Sequence, residues 1–314
     1  MRVVVAGGSG LIGRALVATL VRDGIAVDVL SRNPGSRGRH VPAGARMLGW
    51  RPSDPAAIPE LARSLAGADA VVNVSGVPVG PWPWTPWRRR AIIESRVGTN
   101  DRLVEAMGTL DPADRPGALV VAAGTDAYTG LDAEPATEAT DVSGTTGFLE
   151  QLSRDWEAAA ERAVALGVRV VTVRTSFVLA RKGGLMPLLA LPVRLGLGGR
   201  YGSGEQWFSW IHLDDLVAVY RRAIDDPTMA GPVNAASPEP HRQRDVATIL
   251  ARVLHRPSWL PVPGWLLRLV LREEATLLLG SRRVIPARLL AAGFRFSHPD
   301  VEGALRDALG RPAA

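Results

Sequence analysis

The chain has 314 residues, of which 46% are hydrophobic, so it is long enough and apolar enough to bury a large core. It contains no cysteine, which excludes disulfides, thiolate metal sites and cysteine nucleophiles and fits a reducing, cytoplasmic location. We expect no signal peptide, because Gly7 and Gly8 interrupt the first apolar run. We expect no membrane partner, because Arg, Gly or Pro breaks the longest apolar stretches.

The net charge is +6 at pH 7, which would suit nucleic acid if the basic residues were gathered on one face. They are scattered along the chain, and all but Lys182 are arginine. We therefore expect no nucleic-acid partner. The arginine bias also leaves almost no lysine available for catalysis.

In the first half of the chain, short apolar runs alternate with amphipathic stretches. Strands are predicted at residues 1–6, 26–30, 46–49, 70–74, 118–123 and 168–173, and helices at 11–22, 86–107 and 148–166. Continuous apolar strands separated by helices are typical of a parallel sheet that is covered on both faces. Right-handed crossovers wind such a sheet in both directions from its first strand.

The second half has a different pattern. Residues 183–204 are rich in Gly and Leu, residues 211–223 return to a strand followed by a helix, and the chain beyond 237 is mostly helical between prolines. We predict an α/β fold with a doubly wound parallel (Rossmann) sheet and a smaller, mostly helical C-terminal substrate lobe. The sheet domain comprises residues 1–180, to which 205–236 return, and the lobe comprises 181–204 and 237–314.

A glycine motif lies between the first predicted strand and the first predicted helix. Gly7 allows a tight turn, Gly10 lets the backbone approach a pyrophosphate, and Gly13 lets helix and strand pack closely. The helix N-terminus adds free N–H groups and the positive end of a dipole. This motif in this position predicts dinucleotide binding, and an ordinary strand–helix turn is the alternative.

Ser31 and Arg32 follow the second predicted strand. A site specific for NAD carries Asp or Glu at this point to accept a hydrogen bond from the ribose 2′-hydroxyl. Arg32 would instead pair with a 2′-phosphate. We therefore predict NADP(H) as the cofactor, and a solvated arginine is the alternative.

Over nearly its whole length the chain resembles an atypical subgroup of the extended short-chain dehydrogenases/reductases, an epimerase-like group of unassigned substrate with its own C-terminal domain. The matching segments are AGGSGLIG at 6–13, SRNPG at 31–35, VVNVSG at 71–76, ESRVGT at 94–99, RDWEAAA at 154–160, VRTSFVLARKGG at 173–184, GLGGRYGSGEQWFSWIHLDDL at 196–216, LHRPSWLPVP at 254–263 and RVIPARLLAAGFRF at 283–296. The resemblance implies an NADP(H) site near the carboxyl ends of the strands. Its residues are Gly7, Ser9, Gly10, Leu11, Ile12, Gly13, Ser31, Arg32, Val74, Ser75, Gly76, Arg96, Ala123 and Val178.

The usual catalytic pair of the larger superfamily is missing. Typical members use a Tyr and a Lys four residues apart on one helix, where both face the cofactor. When the resembling segment 154–160 is anchored on Glu157, Leu149 and Ser153 fall at those two positions, and neither side chain can perform acid–base chemistry. The single lysine and the three tyrosines of the chain lie elsewhere.

Three residues after the fifth predicted strand are the candidate catalytic residues. Thr125 stands where the superfamily carries its substrate-orienting hydroxyl, and Asp126 and Tyr128 are beside it. Tyr128 could act as an acid if an arginine or the cofactor lowered its pKa. The alternative is a tyrosine packed between the lobes with its hydroxyl hydrogen-bonded.

Two further groups have structural alternatives. His212, Asp214 and Asp215 suggest a metal site or a triad, but their spacing after a strand better suits a helix N-cap provided by Asp214 or Asp215, so we expect no metal. Tryptophans suggest an apolar pocket, with core packing as the alternative. They are Trp82, Trp84, Trp87, Trp207 and Trp210.

Together these features predict an NADP(H)-dependent oxidoreductase, monomeric or homodimeric, acting on a small, fairly apolar substrate without the Tyr/Lys pair. Two alternatives remain open. One is a non-catalytic NADP(H) sensor, which the loss of the pair favours. The other is an NDP-sugar epimerase or dehydratase, which the resemblance suggests and the loss of the pair opposes.

Overall fold

A computed structural model describes residues 1–37, 41–80, 83–131, 134–181, 183–184 and 186–311. Its central feature is a seven-stranded parallel sheet. The strands are β1 (Arg2–Ala6), β2 (Ala26–Ser31), β3 (Arg46–Gly49), β4 (Ala70–Asn73), β5 (Ala118–Gly124), β6 (Arg169–Thr175), β7 (Phe177–Leu179), β8 (Trp207–Phe208), β9 (Trp210–His212), β10 (Gly231–Ala235) and β11 (His241–Arg242). The order in the sheet is β3-β2-β1-β4-β5-β6-β10, which confirms the predicted doubly wound α/β fold.

The helices separate the strands as predicted. They are α1 (Leu11–Arg22), α2 (Pro34–Arg37), α3 (Ile58–Leu65), α4 (Pro86–Ile93), α5 (Thr99–Gly108), α6 (Phe148–Glu161), α7 (Met186–Arg194), α8 (Leu213–Asp225), α9 (Gln243–Val253), α10 (Gly264–Leu271), α11 (Thr276–Leu279), α12 (Ala287–Ala291) and α13 (Val301–Ala308). The predicted helix 86–107 is α4 and α5 joined by a π-helical turn, Glu94–Gly98, which carries Arg96. No helix among the described residues is long and apolar enough to cross a bilayer.

Alternating side chains of the strands fill two cores, one on each face of the sheet. Val3 and Val5 of β1 point into the core that α1 and α8 cover. Val4, between them, points into the core that α3 and α5 cover. Because both faces are buried, the strands have no polar face, as their continuous apolar runs predicted.

The last strand of the sheet was not among the predicted ones. β10 lies at the edge beside β6, in register from Gly231 with Val171 to Ala235 with Thr175. An edge strand can contain Pro232, which breaks the pattern expected of a buried strand. The later helices form a separate apolar core in which α7, α9 and α13 share side chains with β8 and β9.

The order of the strands reverses between β1 and β4, which pair side by side although β2 and β3 separate them in the chain. The helices that follow these two strands lie on opposite faces of the sheet, α1 on one and α5 on the other, and a crevice opens at the carboxyl edge of the sheet. Crevices at such switch points are where open α/β sheets bind ligands.

Candidate functional site

The glycine loop is held against the neighbouring loop by close backbone contact. Gly7 has φ +88°, and a Cβ atom there would lie 2.6 Å from the backbone nitrogen of Ser75. A Cβ atom at Gly13 would lie 2.2 Å from the carbonyl oxygen of Gly7. Side chains at either position would push the loop apart, so the two glycines let the loop after β1 nest between α1 and the loop after β4.

The N-terminus of α1 is open to an anion. Gly10 is its N-cap and provides no side-chain hydrogen bond, and the first turn has no acidic residue. The N–H of Gly10 itself donates to the carbonyl oxygen of Gly7 over 2.9 Å, which closes the loop. Free N–H groups and the positive end of the helix dipole suit the phosphates of a dinucleotide.

A cleft of about 370 Å³ lies in front of this loop. Most of the residues that the resemblance implied for the cofactor line it together. They are Gly7, Ser9, Gly10, Ser31, Arg32, Val74, Ser75 and Gly76. The cleft also has a wall of Trp50, Pro52 and Ser53, which the sequence analysis missed. These three residues follow β3, so their place after a predicted strand was the available signal.

Arg32 is exposed at the end of this cleft and also borders the smaller depression beside β3. It forms no ion pair with an acidic residue within the described part of the chain. Its guanidinium is therefore available to an anionic ligand, as expected of an arginine that pairs with a 2′-phosphate.

Arg96 lies beneath the other side of the cleft. Its guanidinium carbon would be 3.1 Å from a Cβ atom on Gly76, so a larger residue there would press on the Arg96 side chain. Nη1 donates to the carbonyl oxygen of Val77 over 3.0 Å, and the guanidinium carbon lies 5.1 Å from the ring centroid of Trp156. Burial lowers the pKa of Arg96 to about 10, and the group still keeps its charge at neutral pH. A buried cation without a hydrogen-bonded carboxylate fits a site for phosphate or ribose oxygens.

The other implied cofactor residues occupy different surroundings. Leu11 is half-buried and borders a separate depression beside α8 and α13, while Ile12 packs against the core under α1. Ala123 is buried in β5, and Val178 pairs with Ile211 of β9. These four side chains do not line the cleft, and their parts in cofactor binding stay predictions.

Leu149 and Ser153 lie on the inward face of α6, as the alignment requires. Their exposed fractions are 4% and 3%. Ser153 Oγ would lie 3.5 Å from a Cβ atom on Gly124, at the carboxyl end of β5. Leu149 packs in an apolar cluster with Ile92 and Leu152. The two positions that usually hold Tyr and Lys are therefore both buried, Ser153 against the end of β5 and Leu149 against α4, and they carry side chains that cannot transfer a proton.

Tyr128 is placed differently from the expectation that it contacts a substrate. Its side chain is fully buried, and its hydroxyl donates to Asn234 Oδ1 over 3.0 Å and accepts a hydrogen bond from Arg174. Burial raises the pKa of Tyr128, although the Arg174 charge opposes this. These contacts favour the packed alternative for Tyr128 over the candidate acid, because its hydroxyl is buried and is hydrogen-bonded to protein side chains.

Asp126 remains at the edge of the site. Its carboxylate forms an ion pair with Arg282 of the C-terminal lobe over 2.9 Å. Oδ2 would lie 2.7 Å from the same Cβ position on Gly124 that Ser153 approaches. The Asp126 carboxylate therefore lies near Ser153, the position at which typical members of the superfamily carry the catalytic lysine. Thr125 is buried beside it, with 4% exposure.

Glu150, at the start of α6, is a second carboxyl group whose charge interacts with that of Asp126, and the sequence analysis missed it. The side chain is 9% exposed and folds back over the start of α6, where a Cβ atom on Gly147 would lie 2.3 Å from Oε2. Burial raises the pKa of Glu150, and the negative charge of Asp126 adds to the rise. The only sequence signal was its position next to Leu149 on the cofactor-facing helix.

The interpretation of the His212 segment was right about a cap and wrong about the residue. His212 itself is the N-cap of α8, and its Nδ1 accepts from the N–H of Asp214 over 3.2 Å. Asp215 is buried and accepts from the N–H groups of Ser297 and His298 over 2.6 and 3.0 Å, which anchors the segment before α13. Asp214 is exposed. Burial lowers the pKa of His212, and the neighbouring His298 adds to this.

The tryptophans do not line one pocket. Trp84 packs on Phe148 with ring centroids 5.1 Å apart, Trp87 is 74% exposed, and Trp210 is fully buried. Trp207 lies under the guanidinium groups of two arginines. Trp82, and the single lysine Lys182, lie outside the described residues. Packing was thus the better interpretation for Trp84 and Trp210.

Comparison with known proteins gives the family. A model described as the NAD dependent epimerase/dehydratase family matches residues 3–236. The chain belongs to this family. A second model, a domain of unknown function (DUF1731), matches residues 262–308 and corresponds to the later helices. The resemblance to an epimerase-like subgroup with its own C-terminal domain is confirmed, and the substrate of that group is unassigned.

Similar proteins match along the whole chain. The Epimerase family protein SDR39U1 homolog, chloroplastic, of Arabidopsis thaliana is 34% identical over 98% of this chain and 86% of its own length. The Epimerase family protein Mb2239 of Mycobacterium bovis is 36% identical over 99% of this chain and 98% of its own. A crystal structure of human epimerase family protein SDR39U1 (isoform 2) with NADPH superposes with a TM-score of 0.85 at 32% identity, covering 99% of each chain.

Proposed function

We propose that the chain is an NADP(H)-dependent oxidoreductase in which Asp126 and Glu150 replace the missing Tyr and Lys. The observation that carries the proposal is the place of Asp126, whose Oδ2 approaches Gly124 at the carboxyl end of β5 together with Ser153 Oγ, with the buried Glu150 next to Leu149 at the start of α6. NADP(H) as the cofactor is supported by the open N-terminus of α1, by the unpaired Arg32, and by the NADPH in the human relative.

When bound, a nicotinamide dinucleotide supplies a hydride. The chain binds it through the glycine loop and Arg32 and excludes water with the apolar side chains around Leu149. Glu150, kept protonated more readily than an exposed glutamate, holds the proton that the reduced product needs. Thr125 orients the substrate. Hydride transfer to an activated alkene or an iminium places less demand on a proton donor than transfer to a carbonyl, so we propose a small apolar substrate of that type.

A screen for NADPH oxidation with α,β-unsaturated carbonyl compounds and cyclic imines tests the activity. On any substrate that turns over, Glu150→Gln should lower kcat by about 10²–10⁴, the range for a lost general acid, with the NADPH dissociation constant unchanged. Glu161→Gln, an exposed glutamate at the end of the same helix, is the matched control and should keep full activity. Full turnover in Glu150→Gln would show that the proton comes from elsewhere.

The same substitution separates catalysis from folding. Because the folded state raises the Glu150 pKa, it binds this proton more tightly than the unfolded chain does. The free energy of unfolding therefore falls as the pH rises from the unfolded pKa through the folded one. Glu150→Gln removes that loss, so at neutral pH its Tm should be equal to or above that of the wild type while its activity falls. A loss of both would mark Glu150 as a structural cap of α6.

A second candidate function is a non-catalytic NADP(H) sensor, and Leu149 at the tyrosine position favours it. Tight NADPH binding together with no turnover in the screen would support the sensor. For the location we propose the cytoplasm, on the lack of cysteine alone, noting that the Arabidopsis relative is named as chloroplastic.

A further inference from the structure

Exposed large apolar side chains are concentrated on one part of the C-terminal half. Among the described residues fifteen such side chains are exposed, and ten of them lie in residues 186–200 and 256–272. They are Leu188, Leu191, Leu195, Leu197, Trp259, Leu260, Trp265, Leu266, Leu269 and Val270. We call these two segments the docking face. Contiguous apolar surface of this kind on a folded protein marks an interaction site.

Backbone hydrogen bonds join the two segments. The N–H of Leu260 donates to the carbonyl oxygen of Gly198 over 3.1 Å, and the N–H of Val262 donates to that of Arg200 over 2.9 Å. Trp259 Nε1 donates to the carbonyl oxygen of Gly196 over 3.1 Å. The end of α7 and the start of α10 are thereby held side by side, so their exposed side chains belong to one surface.

The exposure follows from the sequence of each helix. In α7, Leu189 and Val193 pack into the core shared with α9 and α13, while Leu188, Leu191 and Leu195 lie on the opposite, outer side at helical spacing. In α10, with the sequence GWLLRLVL, no residue is buried. Leu267 and Leu271 are half-buried, whereas Trp265, Leu266, Leu269 and Val270 are exposed, and an apolar helix that leaves so many side chains in water points to a partner outside the chain.

The docking face is also strongly basic. Its two segments contain five arginines and no acidic residue, and all five arginines are exposed. They are Arg194, Arg200, Arg256, Arg268 and Arg272, and none forms an ion pair within the described residues. The acidic residues that follow the segments are already engaged: Glu273 pairs with Arg89, Glu205 pairs with Arg244, and Glu274 is buried.

We propose that the docking face binds the surface of an anionic membrane, with α10 lying in the interface and the arginines in contact with lipid phosphates. This departs from the expectation of no membrane partner, which was drawn from the lack of a long apolar stretch and so concerned only a segment that spans the bilayer. Trp and Leu on a surface helix flanked by arginine are the chemistry of interfacial membrane binding, in which no helix crosses the bilayer. A second copy of the chain fits less well. A two-fold interface would bring the same patch, and its five unpaired arginines, against themselves. This inference does not depend on the proposed activity.

Co-sedimentation with lipid vesicles tests the proposal directly. The full chain should bind vesicles of phosphatidylcholine mixed with phosphatidylglycerol, bind pure phosphatidylcholine vesicles weakly, and be released as salt is raised, because the Arg–phosphate attraction is screened. Each single substitution of one of these arginines by glutamine should lower the vesicle partition coefficient about fivefold. Arg268→Gln and Arg272→Gln are measured first.

Matched variants distinguish an effect specific to the docking face from the effect of any surface substitution. Leu269→Glu on α10 should lower vesicle binding at least about tenfold, since a leucine that the bound membrane would cover is replaced by a charge. Leu290→Glu, an equally simple change of an exposed leucine on α12, should bind as the wild type does. Arg63→Gln on α3 is the charge control. Circular dichroism and Tm confirm that each variant is folded.

Two results would overturn the proposal. The first is that the chain does not bind anionic vesicles, or that Leu269→Glu and Leu290→Glu weaken its binding to the same extent. The second is a concentration-dependent dimer in analytical ultracentrifugation that Leu269→Glu dissociates while anionic vesicles are not bound, in which case a second copy covers the docking face.

Discussion

Replacing Arg32 by alanine removes the guanidinium that stands at the end of the cofactor cleft, and this change tests the choice between NADP(H) and NAD(H). Arg32 is exposed and has no acidic partner among the described residues, so the substitution breaks no interaction that holds the fold. The 2′-phosphate is the one group that NADPH has and NADH lacks. The effect of the change should therefore fall on NADPH alone.

The magnitude follows from the kind of contact. A hydrogen bond to a charged group contributes about 1.5–3 kcal/mol, and about 1.4 kcal/mol corresponds to a factor of ten in the dissociation constant. Because Arg32 is exposed, solvent and salt screen the pair, which favours the lower end of this range. We expect NADPH affinity to fall about tenfold near physiological salt, and by more at low ionic strength.

Fluorescence titration with NADPH and NADH at two ionic strengths measures this. Wild type should bind NADPH more tightly, and Arg32→Ala should bring the two affinities close together. Arg63→Ala, an exposed arginine on α3, should leave both unchanged and controls for the loss of overall positive charge. Equal affinity of the wild type for both cofactors, or an equal loss for both in Arg32→Ala, would refute the assignment of Arg32.

Three further predictions concern the loop, the buried tyrosine and an ion pair. Gly13→Ala should weaken NADPH binding and destabilise the fold by about 1–3 kcal/mol, because the added Cβ atom would meet backbone atoms. Gly144→Ala, which has open space around it, is the control and should change neither the NADPH titration nor the thermal melt. Tyr128→Phe should lower the free energy of unfolding in urea by about 1–3 kcal/mol, since it leaves buried partners unpaired, yet keep turnover; lost turnover with an unchanged fold would restore Tyr128 as a catalytic residue. Burial opposes the ionisation of Asp28, but hydrogen bonds from arginines, Arg46 foremost, outweigh it and hold the pKa of Asp28 below its usual value. The stability that the ionised Asp28 contributes is therefore present at neutral pH and is lost as the pH falls below about 4. Asp28→Asn should narrow the difference in Tm between pH 7 and pH 3, and an unchanged difference would contradict this prediction.

The fold was predictable where local pattern and burial agree. The runs that became β1, β2, β4, β5 and β6 are β-branched, continuous and separated by helices, so both their type and their parallel arrangement follow from the sequence. β10 has no such pattern, because an edge strand containing Pro232 is defined by its neighbour β6 and not by its own residues. The π-helical turn that carries Arg96 likewise has no signal in the periodicity of residues 86–107.

The site was predictable only in part. Gly7, Gly10 and Arg32 could be found because their spacing after strands fixes where they lie. Tyr128 could not be judged, since what decides its role is the hydroxyl's contact with Asn234, which is 106 positions away in the chain. The same is true of Glu150, whose surroundings come from different segments that meet only in the folded chain.

Asp126 and Glu150 have different surroundings. Asp126 forms an ion pair with Arg282. Burial raises the pKa of Glu150, and the Asp126 charge adds to the rise while Arg282 and a hydrogen bond from Thr129 oppose it. A raised pKa suits a carboxyl group to hold and donate a proton. A donor of this kind loses its proton as the pH rises through its pKa, whereas a tyrosine keeps its proton until well above neutral pH. The rate of reduction should therefore decline on the alkaline side of the raised Glu150 pKa in a pH profile of kcat/KM, and a rate that stays constant up to the range of tyrosine ionisation would exclude Glu150 as the donor.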